Sequence, residues 1–177
     1  MDDNTNPPTR AEIVRRMNER CGFVEALVVG HSEAQLTELR DAAGWSVKDH
    51  LAHLAPWAFG MADLLIKRPR WMAMGLTSEQ WVATFETDTI NGLLHELDKN
   101  RSLAEVMTLF RSANTRLAWA VETLESDANL FLPYRHFQPF EQPPNDSADP
   151  IWPRLVGNSF GHIDEHLEWI AEWLPGS

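Results

Sequence analysis

The sequence predicts an all-α fold: a four-helix bundle with short extra helical segments and a long loop before the last helix. Three observations predict it. Thr9 with Glu12, Ser46 with Asp49 and Ser102 with Glu105 each place a carboxylate three residues after a hydroxyl, the pattern that caps the free amides of a helix start. Behind those starts the apolar residues recur at helical spacing. No stretch alternates apolar and polar residues as a half-buried strand would, and neither a repeat nor a glycine-rich phosphate loop is present.

In chain order, Ile13, Met17, Phe23, Leu27 and Val28 follow Thr9 and mark a helix ending around Gly30. The polar segment HSEAQLTELRDAAG has room for one or two helical turns. The second long helix runs from Ser46 to about Ile66, where KRPRW ends it. Between Thr77 and Asn100 the pattern is weaker but helix-permissive, with Trp81, Phe85, Ile90, Leu93 and Leu94. From Ser102, Val106, Phe110, Leu117 and Val121 mark another long amphipathic helix. The last helix is expected from near Trp152 to Leu174, with Pro175 and Gly176 as its stop. Before it lies DANLFLPYRHFQPFEQPPNDSADP, longer than most connections. Its aromatic residues, Phe131, Tyr134, Phe137 and Phe140, suit either a flap over an opening or a purely covering loop.

A chain of 177 residues with 44% apolar content is expected to form one domain over 1–177. The formal charge of −11 argues against nucleic-acid and anionic-membrane partners, which require clustered Lys and Arg. One cysteine, Cys21, excludes an intramolecular disulfide and a cysteine-based zinc motif. MDDNTNPPTR is acidic where a signal peptide is basic, and no apolar run has membrane-spanning length, so a cytoplasmic location is expected.

The chemistry concentrates in histidines. In GNSFGHIDEHLEWI, His162 and His166 fall within the apolar arc of the last helix, on the stripe of Trp169 and Trp173. Spacing of i, i+4 puts both imidazoles within reach of one ion. In GWSVKDHLAHLAPW, His50 and His53 fall within the arc of Val47, Leu51, Leu54, Trp57 and Met61. Facing helices of a bundle assemble ligands in this way, so His53, His162 and His166 are candidate metal ligands. Spacing alone equally admits histidines hydrogen-bonded in a core. Pro56 cannot donate to the Ala52 carbonyl and is expected to loosen or kink the helix beside His53. His31, His95 and His136 lie in or beside polar stretches and read as surface or loop residues. HIDEH also matches the inverted zinc-protease pattern, but that reading needs a further protein ligand and only eleven residues follow His166, so a peptidase is not expected. Glu165 stays a candidate base or partner of a ligand, although it and Asp164 lie mostly on the polar side of the helix.

GWSVKDHLAHLAPW resembles the second helix of the DinB-like superfamily of four-helix bundles, and GNSFGHIDEHLEWI resembles that superfamily's last-helix histidine pair. With NRSLAEVMTLFRSANTRL, they are similar to its ClbS/DfsB branch, over about Ala11 to Leu174. The resemblance implies one metal ligand from the second helix, His53, and two from the last, His162 and His166, holding zinc or nickel. It gives His50 no ligand position, leaving it as a pocket residue or a support for a ligand. It also suggests a homodimer.

A three-histidine ion keeps its full charge and an open position. It would lower the pKa of bound water for hydrolysis, or bind a low-molecular-weight thiol as thiolate, as superfamily members are thought to do. The expected function is a metal-dependent thiol-type transferase or a hydrolase acting on a small electrophilic molecule, in detoxification or self-resistance. Two other readings compete. One is a non-catalytic binding protein whose cavity is lined by Trp45, Trp57, Trp152 and Trp169. The other is a structural metal with a closed shell and His50 as its fourth ligand.

Overall fold

Three predicted hydroxyl caps each open a long helix, in a computed structural model that describes residues 7–83, 87–139 and 147–176. Thr9 Oγ1 accepts the Glu12 amide at 3.2 Å and opens α1 (Arg10–Gly30). Ser32 and Gln35 cap a short α2 (Glu33–Thr37). Ser46 and Asp49 exchange hydrogen bonds as a capping box and open α3 (Val47–Leu65). That helix stops where Lys67 turns left-handed (φ 60°) and the Arg68 amide returns to the Asp63 carbonyl at 2.8 Å. The short α4 (Arg70–Ala73) and α5 (Ser78–Ala83) follow, then α6 (Thr87–Asp98). Phe85 lies outside the described residues. Ser102 and Glu105 box the start of α7 (Leu103–Glu122).

α3 is the axis of the molecule. Its sequence is apolar nearly all round, and all its residues except Lys48, Trp57 and Phe59 are buried, as expected of a helix covered on every side. α7 lies along it, α1 packs on α7 and on the last helix, and α6 and α4 cover its other flank. Phe110, Leu117, Ile13, Met17, Leu51 and Leu64 are fully buried between these helices. Each contributes about 1.5–3 kcal/mol by leaving water.

The loop before the last helix begins with regular structure. A 3-10 turn (Asp127–Phe131) and α8 (Tyr134–Phe137) send Leu130, Tyr134 and Phe137 into the core beside Leu64, Leu65 and Val121. Arg10 ties this segment to α1 through the Asp127 carboxylate at 3.0 Å. Leu132 accepts the Ile151 amide at 2.9 Å and closes the loop's base. The described part of the loop therefore fills the core at the C-terminal half of α3; Phe140 lies outside the described residues.

One expected element is two. The single helix from Trp152 to Leu174 is divided into α9 (Ile151–Val156) and α10 (Phe160–Trp173). Ser159 has a non-helical backbone (φ −133°, ψ −124°), and its hydroxyl takes over the Leu155 carbonyl at 2.7 Å. Asn158 similarly donates to the Arg154 carbonyl at 2.7 Å. Side chains thus satisfy the last carbonyls of α9, which allows the chain to change direction there. α1, α3, α7 and α10 form the expected all-α bundle, with the shorter helices around it. Among the described residues, no helix is long and apolar enough to cross a membrane.

Candidate metal centre

α3 and α10 bring His53, His162 and His166 together. One ring nitrogen from each can be chosen so that all three lie within 4.8 Å of one another. The ring centroids are 5.1 Å (His53–His162), 5.0 Å (His53–His166) and 4.8 Å (His162–His166) apart. Burial disfavours the charged form of each ring, pushing His53 down to about 3, His162 to about 4 and His166 to about 2. Nearby imidazoles add to the effect at His53 and His166. All three therefore present neutral rings with free lone pairs at ordinary pH. His53 Nδ1 and His162 Nδ1 are buried with no hydrogen-bond partner among the described residues. Neutral converging imidazoles with unsatisfied nitrogens are a donor set that fits a divalent metal ion.

His166 differs from the other two. Its Nδ1 lies 2.8 Å from His50 Nδ1, and His50 Nε2 lies 3.0 Å from Asp41 Oδ2. Burial lowers the pKa of His50 against the opposing pull of Asp41. Both His50 nitrogens are thus engaged, Nδ1 with His166 and Nε2 with Asp41, and His50 buttresses His166. Asp41 is itself fixed by a tight turn, where its Oδ1 accepts the amides of Ala43 at 2.9 Å and Trp45 at 2.8 Å. Gly44 supplies the positive φ of 88° that the turn requires.

The histidines open into a cleft of about 710 Å³ that Trp45, Trp169 and Trp173 line together with Asp41, Asn91 and Glu165. Among the described residues, no lysine or arginine lines it. Trp45 lines it, with His50 and His53 set against its ring at 5.4 and 5.3 Å between centroids. His95 stacks on Trp45 at 5.4 Å and 15°; the expected surface histidine is half-buried and backs that ring. His136 is exposed, while the His31 ring reaches the Leu27 and Pro175 carbonyls and ties the end of α1 to that of α10.

Two tryptophans expected in the cavity are elsewhere. Trp57 donates to Asn91 Oδ1 at 3.2 Å, lies under the Arg70 guanidinium at 5.5 Å, and packs on Met74, Leu76, Ile90 and Leu94. Its ring still comes within 6.3 Å of His53, so it backs the site without lining the cleft. Trp152 belongs to α9 and packs on the core. Trp173 takes their place. Asp164 faces α1, where it pairs with Arg20. Glu165 is exposed on the rim of the cleft and has no ion pair or hydrogen bond among the described residues. α3 runs as one helix through Pro56. Asp41 was the residue missed by sequence reading; its signal was the DAAG turn, an Asp three residues before a Gly.

No family model matches the chain, and no curated protein matches it. Among solved structures, it is similar to a Streptococcus pneumoniae protein determined by the Northeast Structural Genomics Consortium. The TM-score is 0.72 at 12% identity, over 95% of this chain and 91% of the other. At that identity the likeness concerns the fold.

Proposed function

We propose that this protein binds one zinc or nickel ion through His53, His162 and His166 and uses it to transfer a thiol to, or to hydrolyse, a small electrophilic molecule. The observation that carries the proposal is the convergence of three neutral imidazoles, His53 and His166 buried and His162 half-buried, from α3 and α10 at an open cleft. The DinB-like and ClbS/DfsB resemblance of the same helices supports the same ligands and suggests detoxification or self-resistance. A divalent ion there supplies a Lewis acid beside the cleft. The chain's own groups do the rest. Trp45, Trp169 and Trp173 hold an apolar body and exclude water, and burial keeps the imidazoles unprotonated. Glu165, which lines the same cleft, would be the base that takes a proton from an incoming nucleophile.

The test is the metal content of tag-free protein by elemental mass spectrometry, beside His162→Ala. The proposal expects near one equivalent in the parent and its loss in the variant, with helical circular dichroism retained. A parent without metal, even after incubation with zinc and nickel, overturns it. The tryptophan-lined cleft of about 710 Å³ favours a second reading, a sequestration protein for an apolar small molecule. Ligand binding that survives removal of the metal is the result that distinguishes it.

A further inference from the structure

We infer that Asp41 sets the tautomer of His166 through His50, and so decides whether His166 can act as a ligand. The inference rests on the metal reading above only in its last step. Asp41 Oδ1 is held by two backbone amides, which leaves Oδ2 to His50 Nε2 at 3.0 Å. A carboxylate oxygen only accepts, so His50 carries its proton on Nε2. The other nitrogen of a neutral imidazole is an acceptor. His50 Nδ1 therefore accepts from His166 Nδ1–H across 2.8 Å. His166 is left with an unprotonated Nε2, the only nitrogen it has free for an ion. His53 and His162 have no comparable support, since their Nδ1 atoms lack partners among the described residues.

This chain has a polarity, and one isosteric change reverses it. In Asp41→Asn the amide oxygen keeps the two backbone amides, because they need an acceptor, and the NH2 group replaces Oδ2. His50 Nε2 must then accept, His50 Nδ1 becomes the donor, and His166 Nδ1 becomes the acceptor. The proton of His166 moves to Nε2, where it blocks coordination. Asp41→Ala does something milder: it removes the bias and lets both tautomers exist. The isosteric variant is therefore the more damaging one. A packing role for Asp41 predicts the opposite order, and a purely electrostatic role predicts similar losses in both variants.

The experiment has two readouts. Zinc affinity, measured by competition with a chromophoric chelator, is expected to fall on the order of 10-fold in Asp41→Ala and 100-fold in Asp41→Asn, the range seen when partners of ligand histidines are removed. Long-range nitrogen–carbon-proton NMR on the metal-free protein is expected to show His166 protonated at Nδ1 in the parent and at Nε2 in Asp41→Asn. Asn losing no more affinity than Ala, or a parent His166 protonated at Nε2, overturns the inference. A parent with the Nδ1–H tautomer that reverses in Asn but binds no zinc sustains the tautomer chain and sinks the metal reading instead. If Asp41→Asn fails to fold, His50→Phe serves as the second variant: it leaves His166 without its acceptor, and unchanged zinc affinity there also overturns the inference.

Discussion

Gly161 shows how closely the site depends on one residue beside it. A Cβ at this position would lie 2.9 Å from the Val156 carbonyl oxygen and 3.1 Å from Val156 Cγ1, so the first turn of α10 rests directly on the end of α9. Helix propensity alone would favour Gly161→Ala by about 1 kcal/mol, but displacing a backbone carbonyl costs about 1–3 kcal/mol. The expected result is net destabilisation of about 1 kcal/mol, with weaker metal binding because His162 is the next residue. Gly92 is the control: it lies in α6, where an added Cβ would meet nothing within 4 Å, and Gly92→Ala is expected to stabilise by up to about 1 kcal/mol. Urea denaturation of the two variants checks both signs. At this scale the sequence was legible where a side chain's role is set by its own helix. The i, i+4 pair and the inward face of His53 followed from angle alone. Asp41 was not legible, because its partner is brought to it by a turn, and His95 was misread because its polar neighbours say nothing of the Trp45 ring stacked on it.

Helix starts were legible for a related reason: a cap is made between residues three apart, and both α3 and α7 have one. Their settings differ. Ser46 is fully buried and Asp49 nearly so, and Asp49 Oδ2 accepts from Ser46 Oγ at 2.7 Å and Arg40 Nη1 at 2.6 Å. Ser102 and Glu105 are solvent-exposed. Removing a hydroxyl that leaves a buried carboxylate short of a donor costs more than removing one that water replaces. Ser46→Ala is expected to lose about 2 kcal/mol, and Ser102→Ala about 0.5–1 kcal/mol. Thermal denaturation measures the difference. Equal losses would mean that burial does not strengthen the α3 cap. The break between α9 and α10 was hidden for the converse reason. Trp152, Leu155, Val156 and Phe160 all find the core, so the apolar period runs on across a joint made by Asn158 and Ser159 hydrogen-bonding back to α9. Periodicity registers which residues are covered, and it is blind to a change of axis that keeps them covered.

At the scale of the molecule, the bundle holds neutral histidines where water would let them charge. An unfolded histidine takes a proton near its ordinary value of 6.5, whereas His53, His162 and His166 in the folded metal-free protein resist until about 3, 4 and 2. Below about pH 6.5 the unfolded chain therefore binds more protons than the folded one. Stability is fully present above that pH and falls as the pH drops toward the folded values. Each such site loses at most about 2 kcal/mol between about pH 7 and 5, so the three together are comparable with the marginal stability of an ordinary domain. Ordinary carboxylates remain charged across this interval, which isolates the histidines as the cause. The expected outcome is a urea midpoint for metal-free protein that falls steeply from about pH 7 to 5. The fall should be shallower in His162→Gln, which has one fewer proton to exclude, and a parent midpoint flat over that interval would mean that the three rings are not kept neutral by folding.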